Sequence, residues 1–284
     1  MRFAFVGFDR WCGVFDAFVA AGWEPVAVFT MPVDHRHDFH DEIVARARRA
    51  RIPVQMSRLD EDDLRRLADA RCDVLVVAGY PWRVPDWQPY LRHAINFHPA
   101  PLPEGRGPYP PMQAILEGRR TWAVSCHRIA AEFDTGEILA EDSFALDADV
   151  WHETLQLQLQ MSARRLASRV AADFGALWAD SRPQSGGSYW PRVTDAQRTL
   201  DYTRPVAELM RTVRACGLVE CIAPLNGKRV FVRRATAWQE AHTFAPGTVV
   251  HEYRRWVVIA AVDGFVALIE WSPLDEAMRE RVGP

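Results

Sequence analysis

The stretch at 72–79, CDVLVVAG, constrains the chain more than any other segment. It is the most continuous apolar run, short and rich in β-branched residues, and so reads as a strand buried on both faces. Such a strand needs helices above and below it, which is the layout of a mostly parallel, open α/β sheet. The neighbouring segments supply the pieces. RFAFVG at 2–7 and EPVAVFT at 24–30 read as further strands, with VFDAFVAAGW between them as an amphipathic helix stopping at Gly22. IPVQM reads as a short strand, and LDEDDLRRLADARC as a helix whose first turn is acidic, where the helix dipole favours it. The opening lacks GxGxxG, so no dinucleotide site is inferred.

After the central strand, GYPWRVPDW is broken by Pro81 and Pro85 and must be a loop at a strand's carboxyl end, where open α/β sheets bind ligands. HAINFH at 93–98 is the next strand. Residues i and i+2 of a strand share a face, so Asn96 and His98 project together just before Pro99, Pro101 and Pro103 end the pairing. PPMQAILEG then reads as a helix, TWAVSCHRI as a strand, and AAEFDTGEILAEDSF as a turn holding Glu132 and Asp134, closed by Gly136 and followed by extended chain. The run WHETLQLQLQMSARRLASRVAADFGALWAD predicts a single long helix packed on the sheet.

The Pro, Gly and Ser of SRPQSGGSYWPR predict a domain boundary: a first domain over 1–182, a linker over 183–192 and a second domain over 193–284. In the second, one helix, PVAELMRTVRAC, precedes evenly spaced short strands, the pattern of a small barrel-like, OB-like β domain.

A formal net charge of -3 and a pI near 6.3 give no general footprint for nucleic acid, and Lys228, Arg229, Arg233 and Arg234 read as a solvated face. The five cysteines, Cys12, Cys72, Cys126, Cys216 and Cys221, lack CxxC spacing, which argues against both a disulfide framework and a zinc site. His35, His37 and His40 sit in a polar loop that nothing fixes on one face, so the expectation is no metal and at most a substrate-facing loop. No apolar run has membrane-spanning length, and the N-terminal run is too short for a secretory signal; the expected location is the cytoplasm.

Taken together, Asn96, His98, the loop from Ala100 to Pro103, Arg106, Gly107, Pro110, Asp134 and Gly136 resemble the shared pattern of the folate-dependent formyltransferases: Asn-x-His, a loop usually written SLLP, Arg-Gly with a proline, then Asp-x-Gly. The similarity continues through YWPRVTDAQRTLDYTRPVAELMRTVRAC, LNGKRV and APGTVV, which look like the C-terminal domain of methionyl-tRNA formyltransferase and its amino-sugar relatives. Nearly the whole chain is covered. Ala100 departs from the family's serine, and the segment between FTMP and IPVQ lacks the basic, glycine-rich run with which that family meets tRNA.

The resemblance implies a formyltransferase fold and transfer of the formyl group of 10-formyltetrahydrofolate to an amine, with Asn96, His98 and Asp134 catalytic and no metal. It implies a pterin site drawn from Tyr80, Trp82, Val84, Leu102, Gly107, Phe133 and Gly136. The tetrahedral intermediate carries negative charge on the former carbonyl oxygen, and each preorganised donor to such an oxygen lowers the barrier by about 3–4 kcal/mol. The amide of Asn96 and an imidazolium of His98 can donate. Asp134 is expected to keep His98 protonated, because a nearby anion raises an imidazole pKa, and to accept a proton from the amine. The shortened early loop and near-neutral second domain favour a small primary amine, such as a nucleotide-linked amino sugar or a specialised-metabolite amine, over nucleic acid. Methionyl-tRNA formylation is the alternative, and a non-catalytic folate or nucleotide binding module is the alternative of another class. The oligomeric state is left open, a homodimer included.

Overall fold

The apolar runs lie side by side in one sheet. In this computed structural model, which describes residues 1–33 and 38–273, β1 (Arg2–Gly7) is flanked by β2 (Glu24–Phe29) and β4 (Val74–Ala78), both parallel to it. β3 (Val54–Gln55) lies outside β2, and β5 (His93–His98) outside β4, again parallel. β6 (Thr121–Arg128) then runs antiparallel to β5, and β7 (Ile138–Ala145) antiparallel to β6. The order is β3-β2-β1-β4-β5-β6-β7. His35 and His37 of the histidine loop lie outside the described residues.

Strand alternation sorts the core onto two faces. On one, Phe3 meets Phe15 and Phe18 of α1 (Cys12–Ala20) at ring distances of 5.7 and 5.5 Å, and Phe18 meets Trp23 at 4.8 Å. On the other, Ala4, Val6, Leu75, Val77 and Ala94 pack with Leu59, Leu64, Leu67, Trp87 and Leu91. Leu64 and Leu67 belong to α3 (Glu61–Asp69), which follows α2 (Asp41–Ala50). Asp60 caps α3 by accepting from the Asp63 N–H at 2.9 Å, while the Asp63 carboxylate accepts from the Asp60 N–H at 3.0 Å. That reciprocal box satisfies two otherwise orphaned donors.

α4 (Pro110–Leu116) follows the Arg106 loop, and α5 (His152–Ala172) follows β7. The single long helix expected from 151 to 180 is interrupted at Asp173, and α6 (Phe174–Ala179) starts afresh. Ring burial explains the break: Phe174 reaches Trp23 at 5.3 Å and Trp178 reaches His93 at 4.4 Å.

The chain divides into two compact units. The first comprises Met1–Pro110, Thr121–Leu146 and Gln156–Pro191; the second comprises Pro111–Arg120, Asp147–Leu155 and the chain from Arg192. In the second, α7 (Val206–Cys216) buries Val206, Leu209 and Val213. Five antiparallel strands, β8 (Cys221–Leu225), β9 (Lys228–Gln239), β10 (Val249–Tyr253), β11 (Trp256–Ala261) and β12 (Gly264–Pro273), pair in the order β10-β11-β12-β9-β8. On β9, Val230, Val232 and Ala235 are buried, whereas Arg229, Arg233 and Arg234 are exposed, as a half-buried sheet requires. Among the described residues no helix is long and apolar enough to cross a membrane.

Candidate active site

β5 is the seam of the sheet, parallel to β4 on one side and antiparallel to β6 on the other. The antiparallel register sets His127 opposite Asn96 and Ser125 opposite His98. Side chains directly opposite each other are the closest cross-strand neighbours. Accordingly Asn96 Nδ2 lies 3.0 Å from His127 Nε2, while His127 Nδ1 lies 2.7 Å from the Arg128 carbonyl. Nδ1–H donates to the carbonyl, which leaves Nε2 facing both the Asn96 amide and, at 3.7 Å, Asp134 Oδ1. One amide hydrogen of Asn96 is left to donate elsewhere. Ser125 pins the loop beyond His98, its hydroxyl donating to the Ala100 carbonyl at 2.7 Å and accepting from the Leu102 N–H at 3.0 Å.

That loop returns to the strand it left. The Gly105 carbonyl accepts from His98 Nε2 at 2.8 Å, and the Gly107 N–H donates to Asp134 Oδ2 at 3.0 Å. Asp134 sits in a left-handed turn, φ +57°, with Oδ1 3.3 Å from His98 Nδ1 and 3.7 Å from His127 Nε2. The three expected catalytic residues therefore form one cluster. Two residues the sequence reading passed over, Ser125 and His127, complete it. The alternation in TWAVSCHRI places both on one face and was the signal that could have found them.

Burial is the largest influence on the Asp134 carboxyl and raises its pKa, but His98, His127 and the Gly107 N–H together outweigh it and hold the group at about 2. His98 goes against expectation. Burial lowers its pKa and outweighs the raising effects of Asp134 and the Gly105 carbonyl, so the net direction is down. The raised pKa expected from the Asp134 anion alone is corrected to a lowered one; Nε2–H lies on the Gly105 carbonyl, and Nδ1 faces the carboxylate at 3.3 Å.

The residues expected at the pterin are spread over three loops. Leu102 is buried, and Gly107 and Gly136 are tied to the Asp134 turn. A side chain at Gly107 would strike the Trp190 carbonyl, at 2.2 Å from an ideal Cβ. Phe133 is half exposed beside Asp134. Tyr80 and Val84 pack on the Leu59 and Trp87 side of the core, and the Tyr80 hydroxyl accepts from the Leu59 N–H at 2.7 Å. Trp82 meets the Tyr80 ring at 5.2 Å, and Arg83 ties this loop to the Asp134 turn through the Ala131 carbonyl and, at 2.9 Å, Glu132. Among the described residues no three His, Cys, Asp or Glu side chains are disposed to hold a metal ion.

Comparison with known proteins fits this geometry. Residues 31–170 match the formyl transferase family, and residues 192–278 match the formyl transferase C-terminal domain. The methionyl-tRNA formyltransferase of Rhizorhabdus wittichii is 30% identical over 278 residues, covering 94% of this chain and 88% of its own. The Helicobacter canadensis N-formyltransferase, solved with folinic acid and dTDP-3-aminofucose, matches with a TM-score of 0.70 at 14% identity over 95% of this chain and 99% of its own. HypX from Aquifex aeolicus, solved with tetrahydrofolic acid, matches with a TM-score of 0.67 at 19% identity over 97% of this chain and 45% of its own. At those identities the two structures speak for the fold alone. Because the two parts of the chain match the two domains in turn, and nearly its full length aligns with a member at 30% identity, the chain belongs to the formyltransferase family and is a folate-dependent N-formyltransferase.

Proposed function

We propose that the enzyme moves the formyl group of 10-formyltetrahydrofolate to a small primary amine, a nucleotide-linked amino sugar or a specialised-metabolite amine, using Asn96, His98 and Asp134. The observation that carries this reading is the gathering of those three side chains at the carboxyl end of β5, His98 within 3.3 Å of Asp134 and Asn96 joined to them through His127. The acceptor nitrogen attacks the formyl carbon, and the carbonyl oxygen becomes an oxyanion that the free amide hydrogen of Asn96 stabilises. The amine proton passes to Nδ1 of His98 in its neutral form, directly or through water. The imidazolium so formed is stabilised by Asp134 at 3.3 Å. As the bond from carbon to folate N10 breaks, the proton is returned to N10, and the formyl amide and tetrahydrofolate are released. No metal takes part. The pterin site of this proposal lies among the loops at 80–84, 102–107 and 133–136, with Tyr80, Trp82, Val84, Leu102 and Phe133 as apolar wall, while Gly107 and Gly136 let the loops close on the Trp190 and Arg128 carbonyls.

Charge supports a small acceptor. Two arginines on the segments that follow the strands are charge-paired, Arg10 with Asp38 at 2.9 Å and Arg83 with Glu132 at 2.9 Å, whereas Arg106 is held by neutral groups, Gln184 at 3.0 Å and the Gly186 carbonyl at 3.1 Å. A tRNA acceptor, held through its phosphates, calls for uncompensated cations there. The second reading, methionyl-tRNA formylation, is favoured by the near-full-length relative of that name. Both are tested by offering 10-formyltetrahydrofolate with a panel of primary amines and, separately, with methionyl-tRNA at physiological salt, while following folate absorbance. The expected outcome is turnover of a small amine and negligible formylation of methionyl-tRNA. Efficient tRNA formylation that falls by orders of magnitude as salt rises, with no small amine competing, replaces the first reading with the second.

A further inference from the structure

The segment at 184–190, part of what composition alone marks as a linker, is bound along its length to the loop beneath it. The Arg106 N–H donates to the Ser188 carbonyl at 3.0 Å, and the Trp190 N–H donates to the Arg106 carbonyl at 2.7 Å. The Ser188 hydroxyl accepts from the Gly105 N–H at 3.0 Å, and Arg106 Nη2 donates to the Gly186 carbonyl at 3.1 Å. At the head of this strap stands Gln184. Its amide nitrogen donates to the carbonyls of Asp134 at 2.8 Å and Gly136 at 2.7 Å, and its amide oxygen accepts from Arg106 Nε at 3.0 Å. One side chain thus joins the turn carrying the carboxylate to the loop that touches both His98 and Asp134.

We propose that Gln184 is a positioning residue for formyl transfer, clamping the Asp134 turn to the 105–107 loop so that the carboxylate and the His98 ring keep their register. The need for a clamp is local. Asp134 holds a left-handed backbone that L-residues adopt infrequently, and its Oδ2 depends on the Gly107 N–H for a partner. Only an amide meets the three contacts of residue 184, because two require a donor and one an acceptor. A carboxylate of the same shape keeps the Arg106 contact and turns both carbonyl contacts repulsive.

The inference rests on the role assigned to Asp134, and the experiment separates the two. In Gln184→Glu, amide hydrogen exchange at Gly107 is expected to quicken at least tenfold, with β4 amides unchanged. With 10-formyltetrahydrofolate and whichever acceptor the screen identifies, kcat is expected to fall roughly ten- to a hundredfold while the donor KM stays within about threefold, as for a group that orients the transition state. The acid limb of kcat moves to higher pH, because a carboxylate that loses the Gly107 N–H binds its proton more readily. Gln184→Ala, which removes the contacts without adding charge, is read in the same way should the charged variant not fold. Unchanged Gly107 exchange, or kcat within twofold of wild type in either folded variant while Asp134→Asn is inactive, overturns the clamp. Collapse of the whole fold in both variants overturns it as well, since Gln184 is then a general structural residue. Full activity in Asp134→Asn removes the catalytic reading instead, and the exchange result still judges the clamp.

Discussion

In water, an imidazole 3.3 Å from a carboxylate holds its proton to higher pH; inside this cluster the loss of hydration at His98 costs the charged ring more than Asp134 returns. Stability follows with a definite sign. A histidine whose folded pKa is depressed stabilises the native state above its unfolded value, near 6.5, and loses that contribution as pH falls below it. Asp134, held at about 2, contributes above the ordinary carboxylate value near 4 and loses its contribution as pH falls towards 2, on the order of 2 kcal/mol in all. Both run the same way, in two successive windows. Denaturant unfolding followed from pH 7.5 to pH 3 should therefore show two falls in stability; His98→Ala flattens the first and Asp134→Asn the second. A curve that stays level as pH falls below 6.5 contradicts the lowered His98 pKa. For activity, Asp134→Asn is a clean probe, because asparagine tolerates the φ of +57° that most residues resist. It should lower kcat by roughly 10²–10⁴ with donor affinity nearly intact, because it removes the anion that supports His98 as the proton-transferring group.

Elements, rather than single residues, decide how tightly the cluster is held. Gly136 lies against β6, where an ideal Cβ would stand 1.8 Å from the Arg128 carbonyl. Gly136→Ala must therefore shift the Asp134 turn, and activity is expected to fall more than thermal stability does, which a melting curve beside a rate measurement distinguishes. Away from the site, Asp60→Ala should cost about 1 kcal/mol through the lost cap of α3, and Leu64→Ala about 2–5 kcal/mol through a cavity in the core, both read by urea unfolding. The strands and α3 were legible in the sequence because local patterns specify them: apolar runs bounded by Gly and Pro, and an acidic first turn. For His127 alternation shows only that it shares a face with Ser125; its place opposite Asn96 depends on the antiparallel register of β5 with β6, a long-range pairing that periodicity does not encode. The break at Asp173 was hidden for a related reason, as Phe174 and Trp178 continue the helical spacing and only their contacts with Trp23 and His93 favour a new axis. The strap at 184–190 carries the composition of a connector, and its hydrogen bonds are made largely by backbone, which has no sequence signature.

Across the molecule, the motifs singled out Asn96, His98 and Asp134, which the structure brings into one cluster, and were uninformative about the acceptor. The seam at β5 has a consequence for how such a protein can change. Asn96, His98, Ser125 and His127 are anchored on two paired strands, and Asp134 is fastened to them from one turn; the segments that follow β1 and β4 supply none of these groups. On the mechanism proposed above, the proton relay and the choice of acceptor are separable inheritances: a lineage can trade one amine for another by rewriting its rim, leaving untouched the two strands on which the reaction itself is written.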